Sequence, residues 1–394
     1  MNILDLTKYY QQAFTNTQTP RAFFAPGRIN LIGEHTDYNG GNVLPASISF
    51  GTYALALGRQ DRKLRFYSVN FPDAGVIECD LDDLSYQTAH DWANYPKGML
   101  LYLQEAGYQF DHGIDVLFYG NIPNGAGLSS SASIEMVMGV LLEELFELNI
   151  DRIDLIRIGQ KVENNYIGVN SGIMDQFAIG MGKQNHAILL NCQTLNYQYA
   201  PLVLKDHLII IMNTNKQRTL AGSKYNERRA QCEAALSDLQ TLLPVQTLGD
   251  VTIDVFESNQ LLIKNETNRK RARHIVYENA RTVAALEKLN QNDLTAFGTL
   301  MNESHLSLQH DYEVSGIELD TIVEAAWEQP GVLGARMTGA GFGGCAIAIV
   351  ESESVDDFKE NVSVIYKQRI GYEPTFYTAE IGDGAREISE GVLK

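Results

Sequence analysis

Between Ile122 and Ser133 the chain reads Ile-Pro-Asn-Gly-Ala-Gly-Leu-Ser-Ser-Ser-Ala-Ser. Hydroxyls at Ser129, Ser130, Ser131 and Ser133 follow two glycines, Gly125 and Gly127, which permit turns that a Cβ would hinder. A strand-like run, Ile114 to Tyr119, enters the stretch. A helix-like run leaves it, with Ile134, Val137, Met138, Leu141, Leu142 and Leu145 at helical spacing. Such a loop offers unpaired N–H groups at a helix N-terminus, which attract an anion such as phosphate. The string has neither Gly-Lys-Ser/Thr nor Gly-x-Gly-x-x-Gly, so it is neither of the two common nucleotide fingerprints. Taken alone, it also fits a Gly/Ser loop that merely caps a buried helix.

A second stretch, Arg21 to Pro45, packs Arg28, Asn30, Glu34, His35, Asp37 and Asn39 between apolar Ile29, Leu31 and Ile32. Polar residues threaded by apolar ones fit a binding loop seated on a scaffold. Carboxylates and amides make directional hydrogen bonds, which suit the hydroxyls of a sugar. The stretch opens as a strand, Arg21 to Ala25, and Pro26-Gly27 is expected to end it. Further on, Glu163 falls in a helix expected over Ile153 to Tyr166, and Asp175 sits beside Ile173, Met174 and Phe177. A carboxylate buried among apolar neighbours needs a partner. A solvated Glu163 and a helix-capping Asp175 are the plainer alternatives.

The elements around these residues follow from pattern. Strands are expected at Phe50 to Arg59, Lys63 to Ser68, Leu208 to Met212, Cys345 to Val350 and Thr375 to Ile381. Helices are expected at Leu4 to Phe14, Trp92 to Gly107, Tyr225 to Leu243, Thr267 to Leu289 and Val355 to Tyr366. The helix from Thr267 has an inner stripe of Ile275, Val276, Val283, Leu286 and Leu289; its Arg269–Arg273 charge run reads as a solvated face. Arg228 and Arg229 likewise read as solvated helix charges, and His305 and His310 as surface or locally bonded histidines. Five glycines between Gly334 and Gly344 precede the strand at Cys345 and mark close backbone approach. Strands and helices mix without regular βαβ alternation, which gives an α+β class.

Length and composition set bounds. The 394 residues favour two domains, divided near residue 200 into 1–200 and 201–394. A net charge of −18 argues against nonspecific nucleic-acid or anionic-membrane partners. Cys79, Cys192, Cys232 and Cys345 lack metal-like spacing and read as free thiols. With neither a signal-peptide pattern nor a membrane-length apolar run, a cytoplasmic location is expected.

Three strings carry a resemblance. Pro-x-Gly-x-Gly-Leu-Ser-Ser-Ser-Ala-Ser, from Pro123, resembles the ATP-phosphate loop of the GHMP small-molecule kinases. Gly-Arg-Ile-Asn-Leu-Ile-Gly-Glu-His-Thr-Asp-Tyr, from Gly27, resembles the signature of the galactokinase branch of that family. Gly-Ala-Arg-Met-Thr-Gly-Ala-Gly-Phe-Gly-Gly-Cys, from Gly334, is similar to the family's C-terminal motif, a supporting loop between domains. The resemblance runs from about Arg21 to the C-terminus. It implies an N-terminal domain like domain 2 of ribosomal protein S5, a ferredoxin-like C-terminal domain, and a site in the cleft between them.

It further implies Mg-ATP-dependent phosphorylation of galactose at the C1 hydroxyl. Asp175 is then the base and Arg28 lies near the transferring phosphate. Glu34, His35, Thr36, Asp37, Gly172 and Tyr225 surround the sugar. Gly125, Ala126, Gly127, Leu128, Ser129, Ser130 and Ser131 hold the nucleotide phosphates, and Ser68 lies in the nucleotide pocket. Ser131 and Glu163 hold Mg²⁺, a hard ion that takes oxygen ligands. The expected partners are galactose and ATP, and the expected state is a monomer. A kinase for a neighbouring sugar such as N-acetylgalactosamine, a non-catalytic galactose and ATP sensor, and a purely structural protein remain as alternatives.

Overall fold

The structure, a computed structural model, describes residues 1–123, 125–216 and 221–389. Asn124 of the serine loop and residues 217–220, ahead of Tyr225, lie outside the described residues. The strands are β1 (Arg21–Asn30), β2 (Asn42–Val43), β3 (Pro45–Gly58), β4 (Lys63–Ser68), β5 (Ile77–Asp80), β6 (Ile114–Gly120), β7 (His186–Asn191), β8 (Tyr197–Pro201), β9 (His207–Asn213), β10 (Val332–Thr338), β11 (Cys345–Glu351), β12 (Thr375–Ala379) and β13 (Arg386–Ile388).

One sheet has the order β13-β1-β3-β6-β4-β5, a second β10-β11-β9-β12, and a third β2-β7-β8. In the first, only β4 and β6 run parallel. Helix Ile3–Phe14 covers one face of it, placing Leu6, Tyr10 and Phe14 against Leu55 and Leu117. Helix Ser130–Leu145 covers the other face within the main apolar cluster. In the second sheet, β11 and β12 flank β9, each antiparallel to it, so they run parallel to one another through helix Val355–Ile370. β11, that helix and β12 make a βαβ unit. The mixed α+β class holds throughout.

The two large sheets share a core. Ile29, Leu31 and Ile32, at and just beyond the end of β1, pack in one cluster with Ile209, Ile211, Phe297 and Ile347. The chain also returns to its start, for Ala22, Phe23 and Phe24 of β1 pair with Ile388, Glu387 and Arg386 of β13.

Several expectations are corrected. Pro26-Gly27 does not end β1. The strand runs to Asn30 through a register shift between Pro26 and Arg28. Proline cannot donate to the ladder, so the irregularity is absorbed as a bulge that re-aims the next side chain. A Cβ on Gly27 would lie 2.6 Å from the Leu128 carbonyl oxygen, so the strand meets the serine loop only because residue 27 is glycine. The helix expected over Ile153 to Tyr166 is α-helical only over Arg152–Lys161 and widens into a π turn, Val162–Ile167. The helix expected over Tyr225 to Leu243 runs Ala221–Leu239, and the one expected from Trp92 spans Asn94–Glu105. Val283 is exposed, off its expected stripe. Arg228 and Arg271, read as solvated, are buried: Arg228 donates to the carbonyls of Tyr312 and Glu313, and Arg271 to Gln231, the Asp311 carbonyl and Glu313.

His305 is also buried rather than on the surface. It belongs to helix Leu294–Ser307, which lies against β10, an edge strand with unpaired backbone groups. Asn302 Oδ1 accepts the Ala335 N–H at 2.8 Å and His305 Nδ1 accepts the Met337 N–H at 3.2 Å. Burial first, then the Arg336 charge, pushes the imidazole down from 6.5 to about 3. The folded state therefore keeps His305 neutral where the unfolded chain protonates it, and this contribution to stability is lost as pH falls from 6.5 toward 3. Urea unfolding should show wild type losing about 1.4 kcal/mol more per pH unit than His305→Gln between pH 6 and pH 4. Parallel profiles would contradict this account of His305.

Candidate active site

The bulge at Pro26-Gly27 delivers Arg28 to the serine loop. Its backbone N–H donates to the Leu128 carbonyl at 3.2 Å, and its guanidinium Nη1 to the Gly127 carbonyl at 2.9 Å. The other two guanidinium nitrogens clasp Asp175, Nε to Oδ1 at 2.9 Å and Nη2 to Oδ2 at 3.0 Å. Asp175 stands in the first turn of helix Met174–Met181. Ser129 completes the group. It precedes helix Ser130–Leu145 in a left-handed conformation (φ 64°) and caps no backbone N–H. Its hydroxyl instead donates to Asp175 Oδ2 at 2.5 Å. A carboxylate among apolar residues thus has its partners, a guanidinium and a hydroxyl.

Asp175 faces a cavity of about 510 Å³ whose wall includes Arg28, Glu34, His35, Asp37, Gly127, Ser129, Ser130, Ser131, Glu163, Gly172 and Tyr225. Sequence reasoning named all of these, and the fold brings them together. Thr36 is the exception in its stretch. It is buried, and its hydroxyl lies 2.8 Å from the Gly33 carbonyl and 2.7 Å from that of Asn42. It braces the loop and is absent from the wall. Gly125, Ala126 and Leu128 shape the serine loop without lining this cavity; Gly125 and Gly127 both have positive φ, at 70° and 72°.

The charges on the wall are strained by proximity. Burial, then the neighbouring Asp175 charge, pushes the Asp37 carboxyl up to about 7. Burial also raises Glu34, against the pull of Arg336 and Arg28. Burial, with His274 nearby, lowers His35 to about 3, so its ring is neutral; its Nδ1 shares a 2.8 Å hydrogen bond with the Tyr38 hydroxyl. Tyr225, on helix Ala221–Leu239, packs its ring 5.7 Å from that of His35.

A second cavity, of about 240 Å³, lies across Ser130 and Ser131, which line both. Phe71, Trp92, Tyr95, Phe118 and Ile122 give it flat apolar walls, and Ser68 lies among them. The Trp92 indole N–H is buried without a hydrogen-bond partner in the protein. Two cavities of different chemistry therefore meet at the N-terminus of one helix, where backbone N–H groups favour an anion.

Glu163 lies on the π turn, a distortion frequent at functional sites. Its carboxylate accepts the Ser171 hydroxyl at 2.5 Å. Burial raises its pKa, the Ser131 and Ser171 hydroxyls pull it down, and the Asp175 charge raises it further. A carboxylate so placed suits a hard cation. Among the described residues no group of three or more His, Cys, Asp and Glu could enclose a metal. The donors fit Mg²⁺, which keeps waters and phosphate oxygens as most of its ligands.

Arg336 was missed as a site residue. It is fully buried in β10, inside the third glycine-rich string, and Nη2 reaches Glu34 Oε2 at 3.0 Å while Nη1 donates to the Asn30 carbonyl. A lone cation within a glycine-rich stretch was the available signal. Gly339 and Ala340 of the same string line the main cavity. Gly172 earns its place sterically, because a Cβ there would collide with the Asp37 carboxylate. Gly172→Ala should weaken binding of the implied sugar ~10-fold or more, about one charge-assisted hydrogen bond, with nucleotide affinity changed less than ~3-fold by calorimetry. An equal loss for both ligands would contradict this role.

Comparison with known proteins places this geometry. The model for the GHMP kinases N terminal domain matches residues 94–183, that for the galactokinase galactose-binding signature residues 8–56, and that for the GHMP kinases C terminal residues 285–367. The chain is 60% identical over 388 residues to a galactokinase of Exiguobacterium sibiricum, covering 98% of this chain and 99% of the relative. It is 59% identical over 371 residues to one of Ligilactobacillus salivarius, covering 94% and 96%. The crystal structure of Lactococcus lactis galactokinase complexed with galactose superposes with a TM-score of 0.96 at 53% identity, covering 98% of this chain and all of that one. Methanococcus jannaschii mevalonate kinase, at 16% identity and a TM-score of 0.66 over 93% of this chain, shares the fold. With relatives this similar along nearly its whole length, the chain belongs to the galactokinase family of the GHMP kinases.

Proposed function

We propose that this chain transfers the γ-phosphoryl group of Mg-ATP to the C1 hydroxyl of α-D-galactose, giving galactose 1-phosphate and ADP. The observation that carries the reading is Asp175, fixed by Arg28 and Ser129, where a cavity bearing Glu34, Asp37 and Glu163 on its wall meets the serine loop. The sugar occupies the larger cavity, contacting Glu34, His35, Asp37, Gly172 and Tyr225. Thr36 holds their loop from behind. The nucleotide occupies the aromatic cavity beside Ser68, and its phosphates lie on the loop from Gly125 to Ser131.

In the transfer, the C1 oxygen bonds to the γ-phosphorus as the bridging β–γ bond breaks, and ADP carries that electron pair away. Asp175 accepts a hydrogen bond from the C1 hydroxyl, aligns its lone pair with phosphorus and receives the proton. Arg28 offsets charge on the transferring phosphoryl group while keeping Asp175 in place. The N–H groups at the start of helix Ser130–Leu145 stabilise phosphate oxygens. Ser131 and Glu163 would hold Mg²⁺, which would supply positive charge against that of the phosphates. Most of the acceleration comes from positioning and preorganised charge.

Residues 1–200 form the domain bearing the sugar loop, serine loop and Asp175, and the chain from 201 forms the domain bearing the third motif until β13 rejoins the first sheet. The chain acts in the cytoplasm as a monomer. Among the described residues no helix is long and apolar enough to cross a membrane.

The test is ADP release with Mg-ATP and galactose, glucose, N-acetylgalactosamine or no sugar. Galactose should support release, with phosphorus at C1 by ³¹P NMR. Asp175→Asn should keep its fold and lose kcat by about 10²- to 10⁴-fold. Release with N-acetylgalactosamine alone would replace the substrate. Galactose binding without turnover would replace the enzyme with a sensor.

A further inference from the structure

Glu278 lies in the middle of helix Glu266–Asn290, in the C-terminal half, and is fully buried. No step proposed above uses it. Its Oε1 accepts the backbone N–H of Gly33 at 2.9 Å, the backbone N–H of Glu34 at 3.2 Å and the Ser304 hydroxyl at 2.6 Å. Its Oε2 accepts Arg281 Nε at 2.9 Å. Gly33 has φ +92°, a left-handed turn that aims two successive N–H groups at one point. Such a pair of N–H groups forms a concave anion site in the backbone. Here the anion comes from the protein's own helix.

The same helix grips Glu34 again. His274 Nε2 lies 3.0 Å from the Glu34 carbonyl oxygen, and His274 Nδ1 lies 2.9 Å from the Ser307 hydroxyl. A carbonyl can only accept, so Nε2 carries the proton. With Arg336 on its carboxylate, Glu34 is held at its N–H, its carbonyl and its side chain, each time by a residue from the C-terminal half.

We propose that Glu278 is a positioning residue for sugar recognition: its carboxylate oxygen fixes the Gly33–Glu34 backbone, and so sets where Glu34 and His35 meet the sugar. The inference rests on the galactose reading above. It adds that sugar specificity is set partly by a helix that touches no sugar. Burial pushes the Glu278 carboxyl up, but Arg281 and its other neighbours outweigh it and hold it near 2, so the acceptor is ionised at neutral pH.

Two conservative variants separate reach from charge. Glu278→Asp keeps the charge and withdraws the oxygen by one methylene. Glu278→Gln keeps an acceptor oxygen at full reach and loses the charge toward Arg281. Steady-state kinetics should show galactose KM raised ~10-fold or more in Glu278→Asp but within ~3-fold of wild type in Glu278→Gln, with ATP KM within ~3-fold in both. Glu278→Gln impaired as much as Glu278→Asp would assign the residue to its ion pair and overturn the proposal. Galactose and ATP KM rising together would show general loosening and overturn it as well. Wild-type turnover of galactose is the control: its absence removes the underlying reading and this inference together, whereas a normal wild type with either contrary pattern removes the inference alone.

Discussion

The guanidinium of Arg28 joins three pieces of chain that are far apart in sequence. It leaves a bulged strand, clasps the Asp175 carboxylate through two nitrogens and holds the Gly127 carbonyl with the third. Sugar loop, serine loop and Asp175 are therefore registered against one rigid planar group. A lysine, with one point charge on a flexible stem, could not make this fork. Ser129 reinforces the joint: its hydroxyl donates to Asp175, and its oxygen accepts no helix N–H as a capping serine's would.

That joint sits in an unfavourable field. Glu34, Asp37, Glu163 and Asp175 crowd one cavity in a protein of net charge −18. Asp37 is pushed to about 7, and Glu34 and Glu163 are also raised. Arg28 and Arg336 supply the compensating charge from inside the protein. The proposed ligands would relieve the rest: sugar hydroxyls would donate to the carboxylates of the sugar loop, and a divalent cation would suit Glu163. The site is costly to keep empty and is complemented by the molecules it is proposed to bind, a common balance where function sets the residues.

The local parts of this arrangement were legible in the sequence. Glycine spacing and clustered serines located the serine loop, polar residues threaded by apolar ones located the sugar loop, and most helices and strands fell near their expected positions. What escaped was set by distant partners. Nothing near Pro26 says that the strand survives it; that depends on the Leu128 carbonyl, about a hundred residues on. Arg271 and Arg228 read as surface charges because the carbonyls around Asp311 to Glu313 that receive them are remote in sequence. His305 read as a surface or locally bonded histidine because the strand edge it covers comes later in the chain. Arg336 and Thr36 were visible as residues, but not as a buried counter-ion and an inner brace.

The central claim is that Arg28 and Asp175 act as one unit in the transfer. The direct measurement is kcat at saturating galactose and Mg-ATP for Arg28→Ala, Asp175→Asn and the double variant. If the pair is a unit, the double variant is no slower than the slower single variant, within ~3-fold. Losses that multiply, with each residue contributing independently, would contradict the account.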